Sequence, residues 1–357
     1  MMPNSLLCEV PERYRWSIGA VEIDGPLVLG PMAGYTSLPM RLLSRRAGAH
    51  LVCSEMISAQ ALAYHNAKTF ELMLTHPAEH PVSLQLFGSD PQVMADAVPF
   101  AEAAGADIID VNMGCTVPKI VRSDGGAALI TDPIRAAEII AAMVERAKVP
   151  VTCKIRAGQF RGDNSYLDLA CRLEQAGAAA LALHARTVRQ RFWGEADHEH
   201  TRRLVETLHI PVIASGDVMS PDRPRQILED TGCAGVMIAR GAVGRPWAFT
   251  QANQALRGEE PSPDPEAPQR FGIAMCQAQM LVLQSDETTA MHQMRGQLSW
   301  YSKGLPYSHE LRRRFSEVRH LSELPPLMSG YLTYAAEQAE LAAAQIAAML
   351  AEDEEFE

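Results

Sequence analysis

The 357-residue chain, 47% hydrophobic and 21% charged, has room for one large domain and a smaller one, and its apolar fraction is ordinary for a globular enzyme. It holds no run of 18 apolar residues, and its first 20 residues mix acids and bases, so neither a membrane span nor a secretory signal is expected. The net charge of −11 is local: Leu321–Glu357 and Gly258–Pro268 carry twelve acids and no Lys or Arg, the rest of the chain is near +1, and an RNA partner is not excluded.

In chain order, short apolar runs rich in Val, Ile and Leu fall at Leu27–Met32, His50–Met56, Pro81–Phe87, Asp107–Met113, Pro150–Ile155, Ala180–His184, Pro211–Ser215 and Gly235–Arg240. None alternates apolar with polar, which predicts strands buried on both faces, as in a parallel sheet. Helical stretches with start and stop signals lie between them. Asp90-Pro91 opens Gln92–Ala104, which Gly105 follows; Asp132-Pro133 opens Ile134–Ala147; Ser220-Pro221 opens Asp222–Asp230, which Gly232 follows. Eight strand–helix repeats predict a (β/α)8 barrel over residues 1–257. A doubly wound sheet would show fewer units and a Gly-x-Gly-x-x-Gly turn after its first strand, which Gly30-Pro31-Met32-Ala33-Gly34 is not.

Residues 258–268 are Pro- and acid-rich and read as a linker. Beyond it, Arg270–Leu283, Glu287–Lys303, Ser308–Leu321 and Thr333–Leu350 read as a small all-α helical bundle over 269–350, followed by an acidic tail at 351–357. Its bases cluster at Arg295, Lys303, Arg312, Arg313, Arg314 and Arg319, among Trp300, Tyr301 and Tyr307. That cluster is either a solvated helix face or a phosphate-contacting patch. The seven cysteines are odd in number and include no Cys-x-x-Cys pair, so neither a zinc ribbon nor a disulfide framework is expected, and a reducing cytosol is the expected compartment. His76 and His80 have metal-ligand spacing, but Pro77 and Pro81 argue against a helix there, and no metal is expected.

In a barrel the strand ends converge on one catalytic face. Read in order they supply Met32-Ala33, Glu55-Met56, Gln85, Asn112 with Cys115, Lys154 with Arg156, His184 with Arg186, Ser215-Gly216-Asp217, and Ala239-Arg240-Gly241. Polar groups gathered from separate strands are costly unless they bind something polar. The last two ends follow strands seven and eight, where barrels commonly bind phosphate on backbone N–H groups, with Arg240 as a fork. Gln85, Asn112, Lys154 and His184 would then line the centre and suit a planar heterocycle such as a flavin ring. Cys115 is a small buried hydrophobe or a reactive thiol.

Pro31-Met32-Ala33-Gly34, Asn112-Met113-Gly114-Cys115, Lys154-Ile155-Arg156, His184-Ala185-Arg186-Thr187, Gly241-Ala242-Val243-Gly244-Arg245-Pro246-Trp247 and Ser299-Trp300-Tyr301-Ser302-Lys303-Gly304 resemble the tRNA-dihydrouridine synthase family, most closely its bacterial B-type subgroup, over about residues 18–325. The resemblance implies FMN held by Pro31, Met32, Ala33, Gln85, Lys154, His184, Ser215, Gly216, Asp217, Ala239, Arg240 and Gly241. It implies NADPH as reductant, Cys115 as the acid that protonates uracil C5, and Asn112 and Arg186 as uracil contacts. A tRNA substrate, modified in its D-loop, would also meet Lys119, Arg122, Arg156, Arg295, Lys303 and Arg312. No membrane and no obligate protein partner is expected. Three positions depart from the family pattern: Thr116 where Pro is usual, Ser215 where Asn is usual, and Ala185 where Gly is usual. Two other readings stay open: a flavin barrel acting on a free pyrimidine, of the dihydroorotate dehydrogenase kind, and a non-catalytic RNA-binding barrel.

Overall fold

The structure is a computed structural model that describes residues 10–354, with side chains as far as residue 345. The side chains of the expected acidic tail at 351–357 lie outside the described residues, as does the first part, 1–9, of the segment read for a signal. Two antiparallel strands come first, β1 (Trp16–Ile18) and β2 (Val21–Ile23). Eight parallel strands follow: β3 (Leu27–Leu29), β4 (Leu51–Ser58), β5 (Val82–Phe87), β6 (Ile108–Asn112), β7 (Val151–Arg156), β8 (Leu181–His184), β9 (Val212–Ser215) and β10 (Gly235–Ile238). They close in chain order, β10 pairing with both β9 and β3. This is the (β/α)8 barrel that the buried-strand pattern predicts.

Two strands end two or three residues earlier than expected. The first run was expected to reach Met32, but β3 stops at Leu29, where Pro31 has no N–H to give the ladder. The eighth was expected to reach Arg240, but β10 stops at Ile238 and Arg240–Ala242 winds into a 3-10 turn. The helix caps work as the sequence suggests at Asp90, which accepts the Val93 N–H, and at Asp132, which accepts the Arg135 N–H. The helix expected to follow Ser220-Pro221 starts at Arg223, with Asp222 at the N-cap position but giving no side-chain cap bond; Gly232 ends it at φ +69°.

The hairpin of β1 and β2 was not foreseen, because strands of three residues are too short to show a period. It buries Ile18 and Ile23 against Val28, Leu51, Cys53, Ile108, Ala182 and Ile213, near the strand starts. That plug closes the barrel's N-terminal end, leaving the strand C-termini as the accessible mouth. No helix among the described residues is long and apolar enough to cross a membrane.

The chain forms two compact units, the first running to Ala242 and over Pro246–Ser262, the second being Val243–Arg245 with Pro263 onward. In the second, helices span Ala267–Gln284, Glu287–Tyr301, His309–Phe315 and Leu324–Glu354. Its core sets Phe271 edge-on to Phe315 and Tyr331, over a buried polar set in which the Tyr301 hydroxyl and Gln297 both bond Gln277. The third helix ends at Phe315 rather than Leu321, and the last begins at Leu324 rather than Thr333. Pro325 and Pro326 fall in its first turn, where the missing N–H groups have no intrahelical partner to lose.

Candidate active site

Adjacent parallel strands set Gln85 beside Asp110, Asp110 beside Thr152, and Asn112 beside Lys154. A chain of hydrogen bonds links their side chains across the barrel interior. The Thr152 hydroxyl and the Gln85 Nε2 donate to the two oxygens of Asp110, each at 2.7 Å. Asn112 Nδ2 donates to Gln85 Oε1 at 2.8 Å, and Asn112 Oδ1 accepts the N–H groups of Gly114 at 3.2 Å and Cys115 at 2.9 Å. Every amide orientation in the chain is thus set by the one before it, and the carboxylate is the fixed end, since it can only accept. Burial pushes the Asp110 pKa up, while the Gln85 and Thr152 bonds and the Lys154 charge oppose the shift. Asp110 was not singled out in the sequence, though an acid in the middle of Ile108-Ile109-Asp110-Val111-Asn112 was a usable signal.

Cys115 follows β6 and is partly exposed. Its carbonyl accepts the Ala127 N–H at 2.9 Å, which folds the loop back on itself. Gly126 makes that return at φ +58°, and a Cβ there would stand 2.7 Å from the Cys115 oxygen. Burial raises the Cys115 pKa, and the Val117 N–H and the charges of Arg156 and Lys154 pull it back. With the net shift upward from a value already above neutral, the sulfur rests as a thiol. Thr116, where the family pattern has Pro, is partly exposed, and the residues beyond it form the short helix Pro118–Val121, which exposes Lys119 with Arg122 just after it.

Lys154 points from β7 with no hydrogen-bond partner for its ammonium among the described residues. Burial, then the neighbouring Arg156 charge, lowers its pKa to about 8. His184, at the end of β8, is held neutral: burial and then the Lys154, Arg156 and Arg186 charges carry its pKa well below the usual imidazole range. Its Nδ1 lies 3.4 Å from the carbonyl of Ser215, the last residue of β9.

Two arginines are built into this face. Arg156 donates from Nε to the Gly114 carbonyl at 2.8 Å and from Nη1 to the Thr187 and Arg191 carbonyls at 3.3 and 2.9 Å, tying the loops after β6 and β8 to the end of β7. Arg186 meets both Asp217 oxygens, at 2.7 and 2.6 Å, and the Gly194 carbonyl at 2.6 Å, while its buried Nη1 has no partner. Burial opposes ionisation of Asp217, but its bonds to Arg186 and the Ala196 N–H, with the Arg186 and Arg240 charges, outweigh it and the pKa falls. Arg240 reaches Asp217 at 3.1 Å and keeps about half its side chain exposed. Gly216 adopts φ +128°, and a Cβ on Gly241 would stand 2.3 Å from the Val218 carbonyl, so neither position accepts a side chain without a shift.

At the end of β3, Met32 donates its N–H to the Thr36 hydroxyl at 3.0 Å, and Gly34 donates to Glu55 at 2.5 Å. The other Glu55 oxygen is buried without a partner, and burial raises the pKa of this carboxyl. Phe192, which the sequence reading passed over, lies over the rim: the Arg156 and Arg240 guanidinium carbons stand 5.6 and 5.7 Å from its ring centre and the His184 ring 6.4 Å.

The structure thus gathers Gln85, Asn112, Cys115, Lys154, Arg156, His184, Arg186, Asp217 and Arg240 at the strand C-termini of the first unit. Arg295, Lys303 and Arg312 belong to the second unit. There Arg295 donates to the Val318 carbonyl, Arg312 to the Ser308 hydroxyl, and Lys303 lies 4.8 Å from the Trp300 ring centre.

A closed parallel barrel with a thiol, a desolvated ammonium and orphaned polar atoms at its strand C-termini has the architecture of a (β/α)8-barrel enzyme. Residues 28–340 match the family described as "Dihydrouridine synthase (Dus)". The chain is 37% identical over 303 residues to tRNA-dihydrouridine synthase B of Pseudomonas aeruginosa, covering 85% of this chain and 91% of that protein. It is 36% identical over 325 residues to tRNA-dihydrouridine synthase B of Vibrio cholerae, covering 88% and 98%. The chain belongs to the dihydrouridine synthase family. Among solved structures, histamine dehydrogenase from Rhizobium sp. 4-9 aligns with a TM-score of 0.54 at 13% identity, over 74% of this chain and 50% of that one. A morphinone reductase mutant in complex with tetrahydroNAD aligns with a TM-score of 0.51 at 15% identity, over 72% and 93%. These likenesses concern the barrel fold.

Proposed function

We propose that this protein reduces uridine in tRNA to 5,6-dihydrouridine, with FMN as its bound cofactor, NADPH as reductant and Cys115 as the proton donor. The observation that carries the reading is the thiol of Cys115, backbone-anchored to Asn112, on the same barrel face as the unpartnered Lys154 ammonium. Buried polar groups without partners are costly, and the Arg186 Nη1 and a Glu55 oxygen stand so on this face, beside the partly buried Lys154 ammonium. A flavin ring, with its carbonyl and N–H edge, is a group of the chemistry they lack. Pro31, Met32, Ala33, Gln85, Lys154, His184 and Ser215 would hold the ring. Gly216, Asp217, Ala239, Arg240 and Gly241 would hold the phosphate end.

Bound FMN supplies hydride to C6 of the uracil. The chain's own residues handle the rest. Hydride addition leaves an enolate conjugated to the C4 carbonyl, and C5 then needs a proton. The Cys115 S–H bond breaks to give it. The resulting thiolate is met by the Val117 N–H and by the Arg156 and Lys154 charges. Asn112 and Arg186 would hold the uracil. The uridine must leave its stack, which favours loop nucleotides of a folded RNA, and the D-loop is the proposed location. A tRNA substrate sets the protein in the cytoplasm.

The test uses purified FMN-loaded protein, NADPH and unmodified tRNA, with nucleoside mass spectrometry as readout. Dihydrouridine in the tRNA, lost in Cys115→Ala, is the expected result. Turnover of a free pyrimidine without tRNA would overturn the substrate, and tRNA binding without turnover would leave only an RNA-binding barrel.

A further inference from the structure

The loops after β7 and β8 carry an arrangement that the reduction chemistry does not use. Trp193 is 82% exposed, Phe192 61% and Phe160 50%. Large aromatics in solvent are not rare singly, but these three lie on two loops whose backbones are bonded to each other. Val188 and Arg189 donate their N–H groups to the Gly158 and Gln159 carbonyls, both at 3.0 Å, which zips the two loops to each other. Thr187 and Gln190 bond each other reciprocally, at 2.9 and 3.2 Å. Trp193 N–H donates to the Gln190 carbonyl at 2.8 Å, and Arg191 and Gly194 turn the chain at φ +50° and +65°. Arg156 and Arg186 hold the Arg191 and Gly194 carbonyls from below.

Exposed guanidinium groups stand on the same two loops as these rings. Arg161, Arg189 and Arg191 are exposed, and the Arg189 guanidinium lies 5.5 Å from the Phe160 ring centre. The acids of these loops are Asp163, Glu195 and Asp197; Asp163 accepts the Gln159 and Ser165 N–H groups and Asp197 the Glu199 N–H, and among the described residues none of the three forms an ion pair with Arg161, Arg189 or Arg191. Flat rings beside unpaired guanidinium groups fit an anionic partner with flat faces of its own. The patch is continuous with the active-site rim through Phe192.

We propose that Phe160, Arg189 and Trp193 form a stacking platform for the unpaired nucleotides that flank the reactive uridine, the RNA being held there by base faces and backbone charge. This rests on the reading of RNA as substrate. A uridine drawn out of its stack leaves its neighbours with exposed faces, and rings fixed at the rim give them a replacement. Such stacking tolerates any base sequence, because every base has a π-face. A continuous duplex offers no free face and gains only the charge.

The experiment uses the full FMN-loaded chain with W193A, W193F, F160A and the W193A/F160A double variant, none of which touches the reacting groups. Binding is measured to unmodified tRNA and to a blunt RNA duplex, alongside NADPH-driven flavin bleaching and dihydrouridine formation. Each alanine variant should weaken tRNA binding by about 5–100-fold and raise KM for tRNA with kcat changed by less than about 3-fold. W193F should stay near wild type, duplex affinity and flavin bleaching should be unchanged, and the tryptophan fluorescence lost in W193F should be the part that tRNA quenches. A double variant that binds tRNA as the wild type does, from a wild type that forms dihydrouridine, overturns the platform alone. A wild type that reduces no tRNA overturns the RNA reading, and the platform with it.

Discussion

Asp110 is the fixed end of the chain that orients Gln85, Asn112 and the backbone of Cys115, so removing it has a size that the hydrogen bonds dictate. Asp110→Ala strips the acceptor from the Gln85 Nε2 and the Thr152 hydroxyl. Each buried group left unpaired costs about 1–3 kcal/mol, and the vacated volume adds to that, so the loss of folding stability should be about 3–6 kcal/mol. Asp110→Asn keeps an oxygen for Gln85 and turns an N–H toward the Thr152 oxygen. It also removes a carboxylate that burial disfavours, and should cost about 1 kcal/mol or less. The sign of the pH dependence follows. Burial raises the Asp110 pKa above its ordinary 3.8, so the folded state holds the proton more tightly than the unfolded one. Wild-type stability should therefore fall as pH rises from 3.8 through the raised value, and Asp110→Asn should be flatter there. Urea unfolding at several pH values measures both effects. Dihydrouridine turnover should drop about 10–100-fold in Asp110→Ala, because a reacting group displaced by an ångström loses that much, and recover in Asp110→Asn. If the alanine variant matches the asparagine variant in stability to within about 1 kcal/mol, or turns over at the wild-type rate, the chain does not set the geometry.

Cys115→Ala should leave flavin content and NADPH oxidation intact and lower dihydrouridine formation by about 10²–10⁴-fold, read by nucleoside mass spectrometry. In flavin-free protein the desolvation cost of the Lys154 ammonium is present in full below its lowered pKa of about 8 and is relieved as pH rises toward 10.5, so Tm should climb over that window in the wild type relative to Lys154→Met. Arg240→Ala should give a paler protein, since a charge-assisted phosphate contact is lost, and full flavin content would move the phosphate site elsewhere. In the second unit, Arg313 is already paired with Glu310 and Glu317, so Arg313→Ala should leave the salt dependence of tRNA binding unchanged, while Arg314→Ala should lower the slope by about 1 if that helix meets phosphate.

The barrel was legible because buried parallel strands write continuous apolar runs, and because Asp-Pro and Gly mark helix ends at Asp90, Asp132 and Gly232. The plug of β1 and β2 was not, since its contacts are made by single residues, Ile18 and Ile23, whose partners lie far away in sequence. The strand ends gave the positions of Gln85, Asn112, Lys154, His184 and Arg186, but not their bonding. Arg156 reads as a free cation and proves to be a clamp on three carbonyls, a role that no residue pattern encodes. The pairing of Arg313 with Glu310 and Glu317 was legible, because consecutive helix positions point about 100° apart and Arg312–Arg314 could not all face one surface; the bond of Arg312 to the Ser308 hydroxyl was not.

The surroundings of Cys115 separate an acid from a nucleophile. A nucleophilic cysteine needs its thiolate at rest, and its environment must bring the pKa well below the usual value. Here burial outweighs the positive neighbours and the proton stays on sulfur. The same Arg156 and Lys154 charges that fail to remove it beforehand become useful once it has left, because they then face an anion. For that, the charge must not swing away with the loop. Arg156 is held from doing so by its Nε and Nη1 bonds to Gly114, Thr187 and Arg191. The clamp that fixes the charge beside the sulfur is also the one that fixes the backbone beneath Phe192 and Trp193. The proposed proton donor and the rim proposed to meet RNA would therefore be held by one side chain, so a displacement of the rim loops would be felt at the thiol.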